Sequence, residues 1–262
     1  MLVAGWKSDP GDGGVPGALG APASMSTVQQ AVVLAAGRGT RMRELTESIP
    51  KPMVEVRGKP VLQFIVEGLR HCGIKELLII VGYRKEVVQN HFQDGAHFGI
   101  QIRYAEQIVQ DGTGRVVGLA QTFCGDDPFL LSYGDILVDP AYYPRLCDLK
   151  DAEMSIAVRR SNEVFKGGAV YLNDRFELID LREKPKPDEA ATPWYNAGIY
   201  VFRPSIFDYV ARLEKSPRGE YELTDAIRAI SLAGKRVQAV EIVGHWADVR
   251  DPEVLAELNE DS

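Results

Sequence analysis

Short apolar runs alternate along the chain with segments whose apolar residues fall at helical spacing. Ala31-Val32-Val33-Leu34-Ala35 is continuously apolar and leads to a glycine, the pattern of a parallel strand buried on both faces. Residues 61–71 place Val61, Leu62, Ile65, Val66 and Leu69 on one helical face, and the pattern ends near Gly73. The alternation then continues. Residues 76–82 predict a buried strand, 85–92 a helix, 100–104 a strand and 114–123 a helix. Residues 129–132 predict a third buried strand, running into Gly134-Asp135. This rhythm predicts an α/β fold with a doubly wound, mostly parallel, Rossmann-like sheet.

Beyond about residue 150 the pattern changes. Residues 154–158, 168–172 and 176–181 predict strands in close succession, with Asn173-Asp174 as a turn between the last two, and so an antiparallel insertion. A strand at 196–202, a helix at 221–233, a strand at 237–243 and a closing helix at 252–258 follow. No internal repeat or strong linker interrupts 28–258, so one domain with two lobes is expected there, with 259–262 as a tail. Residues 1–27 are rich in Gly, Pro and Ala, with neither a basic start nor a sustained apolar run. They predict a disordered leader or extension rather than a signal peptide, with Met25 as a natural start.

Charge narrows the function. Thirty Lys+Arg against 37 Asp+Glu give a net charge of −7, which argues against a general binder of nucleic acid or anionic membranes. The apolar runs are too short to span a bilayer, and a cytoplasmic protein is expected. Cys72, Cys124 and Cys147 form no CxxC pair and read as small buried hydrophobes rather than a disulfide or zinc framework. The four histidines lack metal-ligand spacing. One window runs against the acidic balance. Between 34 and 59, Arg38, Arg41, Arg43, Lys51, Arg57 and Lys59 outnumber Glu44, Glu47 and Glu55, a local +3 that suits a small anionic ligand.

The same window carries the chemistry. A strand followed by Gly37-Arg38-Gly39-Thr40-Arg41 can aim backbone N–H groups at phosphate oxygens, because glycine permits close approach and positive φ. The third glycine of the dinucleotide fingerprint and the GK[ST] of the P-loop are both missing, so neither motif applies. Arg41 can clamp phosphate bidentately, and Lys51, between Pro50 and Pro52, is a point charge on a stiffened segment.

LAAGRGTRM…PKPMVEVRGKPVLQ resembles the N-terminal signature of the sugar-1-phosphate nucleotidyltransferases, the glucose-1-phosphate thymidylyl- and uridylyltransferases. The likeness runs from residue 31 to about 258 and implies the nucleotide-diphospho-sugar transferase fold. It implies that Leu34, Ala36, Gly37, Gly39 and Thr40 hold the nucleotide and that Arg41 and Lys51 are catalytic. Gln107-Ile108-Val109-Gln110-Asp111-Gly112-Thr113-Gly114 resembles the base-reading turn, with Gln107, Gly112 and Thr113 at the nucleotide. An amide there can meet a uracil or thymine edge with donor and acceptor; Arg115 stands where many relatives carry a small residue. Ser132-Tyr133-Gly134-Asp135 and Trp246-Ala247-Asp248 are similar to the two metal-binding segments, which implies Mg²⁺ on Asp135 and Asp248. Arg250 replaces a glycine frequent in relatives. Glu183-Lys184-Pro185 and Asn196-Ala197-Gly198 imply a sugar-phosphate subsite of Gly168, Glu183, Lys184, Asn196 and Gly198. Gly219–Asp225 (GEYELTD) reads as a structural helix start, with Thr224 or Asp225 as lesser sugar-side candidates.

The reaction so implied joins an NTP, with UTP or dTTP preferred, to a sugar 1-phosphate, giving NDP-sugar and pyrophosphate. Its partners are those two small molecules, and a homo-oligomer is left open. A mannose-type guanylyltransferase and a non-catalytic NDP-sugar-binding regulatory homologue are the alternatives. A cytidylyltransferase for an alcohol phosphate fits the Gln107…Gly114 segment less well. A glycosyltransferase would carry a DxD motif, whereas Asp135 precedes Ile136-Leu137. Many relatives append a left-handed β-helix, which is not expected in a chain that stops at Ser262.

Overall fold

The computed structural model describes residues 28–260; the leader expected at 1–27 and residues 261–262 lie outside the described residues. Strand β1 (Gln30–Ala35) is followed by the hairpin β2 (Glu55–Val56) and β3 (Lys59–Pro60), then α1 (Val61–His71), β4 (Glu76–Val81), α2 (Lys85–Phe92) and β5 (Gln101–Glu106). β1, β4 and β5 pair in parallel in that order. Alternate residues supply opposite cores. Val33 and Ile79 join the cluster beneath α1, while Val32, Leu78 and Ile80 join the one on the other face. Side chains of a strand point alternately to its two sides, so a run with no polar gap is what a doubly covered strand requires.

The chain next forms α3 (Thr113–Val117), a 3-10 turn and α4 (Gln121–Cys124), where 114–123 predicts one helix. Gly114 and Gly118 lie inside the predicted span, and glycine weakens a helix interior. β6 (Phe129–Tyr133) then pairs in parallel with β1 on the side away from β4. The strand order reverses there, and the crevice beyond the carboxyl ends of β1 and β6 is where α/β sheets bind ligands. Ala36-Gly37 leaves one strand and Gly134-Asp135 the other.

A short strand β7 (Ile136–Val138), helix α5 (Tyr142–Cys147) and strand β8 (Met154–Arg160) follow, then β9 (Gly168–Leu172), β10 (Leu178–Glu183) and β11 (Trp194–Phe202). Only β9 and β10 form the antiparallel hairpin expected around Asn173-Asp174. The 154–158 segment is not in that hairpin but pairs antiparallel with β11 in the same nine-stranded sheet, of which β9 and β10 form one edge. Its alternate residues Met154, Ile156 and Val158 join one core and Ala157 the other, so it cannot sit in a one-sided insertion. α6 (Ile206–Val210), α7 (Leu223–Leu232), β12 (Val237–Glu241), β13 (Trp246–Asp248) and α8 (Pro252–Glu260) complete the order. β12 runs parallel to β8 and completes a nine-stranded sheet. α7 starts two residues later than predicted because the Tyr221 backbone is engaged elsewhere. Its N–H donates to Asp111 O and its carbonyl accepts from Gly114 N, both at 2.8 Å.

β7 and β13 pair antiparallel, with Asp248 opposite Ile136, away from the main sheet. α8 extends two residues past the predicted end, where Arg57 N donates to Asn259 Oδ1 at 2.7 Å. Among the described residues no helix is long and apolar enough to cross a membrane. Cys124 and Cys147 are buried, and burial pushes the Cys124 thiol up to about 12.

Candidate functional site

A cavity of about 550 Å³ opens over the carboxyl ends of β1 and β6. Every residue assigned to the site lines it, from Leu34, Ala36, Gly37, Gly39 and Arg41 through Gln107 to Asn196, Gly198 and Asp248, except Thr40; the lesser candidates Thr224 and Asp225 do not. Thr40 opens a 3-10 turn (Thr40–Thr46), and its side chain lies outside what is described.

The glycine loop is shaped by what lies beneath it. Gly39 has φ +71°, and a Cβ there would stand 2.6 Å from Lys51 Cβ, so the loop passes directly over the lysine. The basic excess of this window is not spent entirely on the cavity. Arg38 stacks on the Tyr83 ring at 5.1 Å, Arg57 Nε donates to Leu258 O, and Lys59 pairs with Glu67 at 2.8 Å. Arg41 and Lys51 do line the cavity.

Lys51 sits at the electrostatic centre. Its Nζ donates to Asp135 Oδ2 and lies 3.7 Å from Asp248 Oδ1. The β7–β13 ribbon brings the two aspartates together, helped by Val249 N donating to Asp135 O at 2.9 Å. Burial, and then the charge of Asp135, push the Asp248 carboxyl up to about 6, against the pull of Lys51, Arg250 and Arg41. Two carboxylates sharing one ammonium therefore leave surplus negative charge, the environment a hard divalent cation with oxygen ligands satisfies. No group of three or more His, Cys, Asp or Glu with ligand geometry occurs among the described residues. A two-carboxylate set fits Mg²⁺, which keeps waters and takes its remaining oxygens from phosphates.

Facing this centre is the turn 107–114. Gln107 Nε2 folds back to donate to Val109 O at 3.1 Å, while Gln110 Nε2 reaches across to Ala36 O at 3.0 Å and ties the turn to the glycine loop. Gly112 has φ +118°, and a Cβ would lie 2.3 Å from Tyr221 O. Gly112→Ala is therefore expected to cost about 2–3 kcal/mol of stability, from backbone strain plus the forced shift of Tyr221. Urea unfolding measures it, and a variant as stable as the parent would contradict this packing. Arg115 does not line the cavity; Asp111 holds it at 3.2 Å and its guanidinium lies over Tyr221.

At the far end, Gly168 is packed so closely that a Cβ would lie 2.8 Å from Asn196 Cβ. Glu183 lies 3.7 Å from Arg218, which also pairs with Glu222 at 3.1 Å and Glu220 at 3.3 Å. Burial and then the facing Glu222 raise the Glu183 pKa, opposed by Lys184 and Arg218. Lys184 has φ +42°, uncommon for a residue with a side chain, and its N–H donates to Gly167 O at 2.7 Å. Asn196 is pinned at both ends of its amide, by Gly198 N at 3.2 Å and the Tyr200 hydroxyl at 2.7 Å. Thr224 is buried and does not line the cavity.

Several lining residues escaped the sequence reading, among them Gln110, Lys166, Tyr195, Arg218 and Trp246. Arg218 had a signal, since it immediately precedes the Gly219–Asp225 segment. Trp246 had one too, two residues before Asp248, where its Nε1 donates to Ala197 O at 2.9 Å. Tyr195 and Lys166 had none.

Residues 30–262 match the family model described as "Nucleotidyl transferase". The low-salt glycan biosynthesis nucleotidyltransferase Agl11 of Haloferax volcanii is 34% identical over 87% of this chain and 64% of its own. The UTP–glucose-1-phosphate uridylyltransferase AglF of the same organism is 35% identical over 86% of this chain and 92% of its own. A crystal structure of UDP-glucose pyrophosphorylase complexed with UDP-glucose shares the fold, with a TM-score of 0.80 at 24% identity, over 88% of this chain and 97% of that one. The chain spans about half to two-thirds of the length of several curated relatives it matches, from 51% to 64%. The match from strand β1 through α8, with that to a relative along nearly its full length, establishes that the chain belongs to the nucleotidyl transferase family.

Proposed function

We propose that the protein transfers a nucleotidyl group from an NTP, UTP or dTTP by preference, to a sugar 1-phosphate, releasing pyrophosphate and an NDP-sugar. The observation that carries this reading is the sharing of one cavity by three sets of groups. These are the glycine loop with Arg41 and Lys51, the facing Asp135 and Asp248, and the Glu183-Lys184-Asn196 end. The uridylyltransferase named above, matched along nearly its whole length, supports both the reaction class and the base. A cytoplasmic location follows from such substrates.

The chemistry asks little of a base. A phosphate monoester has a second pKa near ~6, so the attacking sugar phosphate is already mostly ionised at neutral pH. The difficulty is to hold two polyanions together in line, so positioning and charge neutralisation dominate. Backbone groups of Leu34, Ala36, Gly37, Gly39 and Thr40 seat the nucleotide. Gln107, Gly112 and Thr113 read its base. Arg41 and Lys51 stabilise charge on the α-phosphate and the leaving pyrophosphate. Lys184 and Arg218 hold the sugar phosphate, while Gly168, Glu183, Asn196 and Gly198 take the sugar. Asp135 and Asp248 would hold Mg²⁺, which supplies charge neutralisation between the reactants when bound.

Pyrophosphate release, measured with UTP, dTTP, GTP and CTP against glucose, N-acetylglucosamine and mannose 1-phosphates in Mg²⁺, tests the reading. Turnover with UTP or dTTP is expected to exceed that with GTP or CTP. GTP turnover confined to mannose 1-phosphate would transfer the assignment to a guanylyltransferase. No release with any pair would overturn it.

A further inference from the structure

Behind the sugar end of the cavity lies a fully buried tyrosine whose hydroxyl the reaction itself does not use. Tyr200 is 0% exposed and is absent from the cavity wall, whereas Asn196, four residues earlier, lines it. Residues four apart on a straight strand are separated by about 13 Å. β11 instead shifts register between Asn196 and Tyr200, and Gly198 at the shift has φ +77°. Such a bulge bends a strand and re-aims its side chains. Here it lets Asn196 Nδ2 donate to Tyr200 Oη at 2.7 Å while Gly198 N donates to Asn196 Oδ1 at 3.2 Å.

The orientation of the Asn196 amide is fixed by the Gly198 N–H, which needs an acceptor and meets Oδ1. The amide Nδ2 is thereby directed at Tyr200 Oη, which accepts from it. A flipped amide would set its NH₂ against the Gly198 N–H, donor against donor. One amide orientation survives, presenting one N–H and the carbonyl oxygen towards the cavity.

We propose that Tyr200 is a positioning residue for sugar recognition, acting through the Asn196 amide without touching the substrate. The inference depends on Asn196 meeting the sugar, as in the function proposed above. Tyr200→Phe removes one oxygen and keeps the ring. It is expected to raise KM for the sugar 1-phosphate about tenfold, and to leave KM for the NTP within about twofold and the melting temperature close to that of the parent. Because the effect passes through Asn196, the Asn196→Ala/Tyr200→Phe double variant should be no worse than Asn196→Ala alone. A third readout is independent of turnover. The Asn196 side-chain amide signals in a ¹⁵N spectrum, identified by their loss in Asn196→Asp, should shift and broaden in Tyr200→Phe.

An unchanged sugar KM, an equal rise in both KM values, additive losses in the double variant or unmoved amide signals would each overturn the inference. If the parent protein releases no pyrophosphate with any substrate pair, the functional reading fails instead. The amide spectrum then decides alone whether Tyr200 orients Asn196.

Discussion

Lys51→Met is expected to lower kcat by about 10³-fold and, in the same protein, to strengthen the binding of Mg²⁺. Both effects follow from one geometry. The Lys51 ammonium touches Asp135 and lies 3.7 Å from Asp248. Among the described residues no other ammonium or guanidinium comes within 4.0 Å of either carboxylate. Without it only the more distant Arg41 and Arg250 offset the two facing aspartates. The metal-free fold should lose about 1–2 kcal/mol, less than the ~3–5 kcal/mol seen on breaking a fully buried pair, because these groups keep some contact with solvent. A divalent cation then replaces the missing charge, so Mg²⁺ should raise the melting temperature more in the variant than in the parent. Thermal melting with and without Mg²⁺ and pyrophosphate release measure the two halves. Undiminished turnover in the folded variant would remove Lys51 from the catalytic set, and an equal Mg²⁺ shift in both proteins would refute the shared-charge account.

Asp135→Asn is the second large effect, again with about 10³-fold or more expected in kcat. The carbonyl of residue 135 that accepts Val249 N belongs to the backbone, so the β7–β13 ribbon should survive the substitution. The half-saturating Mg²⁺ concentration should rise, and saturating Mg²⁺ should not restore the rate. Asp248→Asn should be equally inactive but differ in stability. Burial and Asp135 hold the Asp248 carboxyl above its ordinary range, so its ionised form costs the metal-free fold free energy at neutral pH. Neutralising it should raise the metal-free melting temperature. Parent-like rates in either variant, measured across a Mg²⁺ series, would dissolve the metal assignment.

What could be read from the chain follows its physics. β1, β4 and α1 were legible because a run without polar gaps, or a single apolar face, specifies its surroundings locally. The 154–158 strand was misplaced because its partners β11 and β12 are distant in sequence, and apolar spacing alone does not name a partner. The glycine loop, Arg41, Lys51 and Asp135 were legible from glycine and charge placed at strand ends, and the rest of the expected lining from the family resemblance. The basic window misled in part, since Arg38, Arg57 and Lys59 are cations with structural partners and carry the same letters as those facing a ligand. The β7–β13 ribbon was invisible, because three-residue strands lie below any periodicity. Yet it carries Asp248 to the side of Asp135.

That ribbon also sets an order of assembly. Its second strand comes from near the end of the domain, after the whole nine-stranded sheet has been specified. During synthesis the glycine loop and Asp135 leave the ribosome long before Trp246-Ala247-Asp248 does. A nascent chain thus carries the glycine loop and Asp135 while still lacking Asp248. On the function proposed above, competence arrives only with the last strand, and unfinished chains would not consume triphosphate.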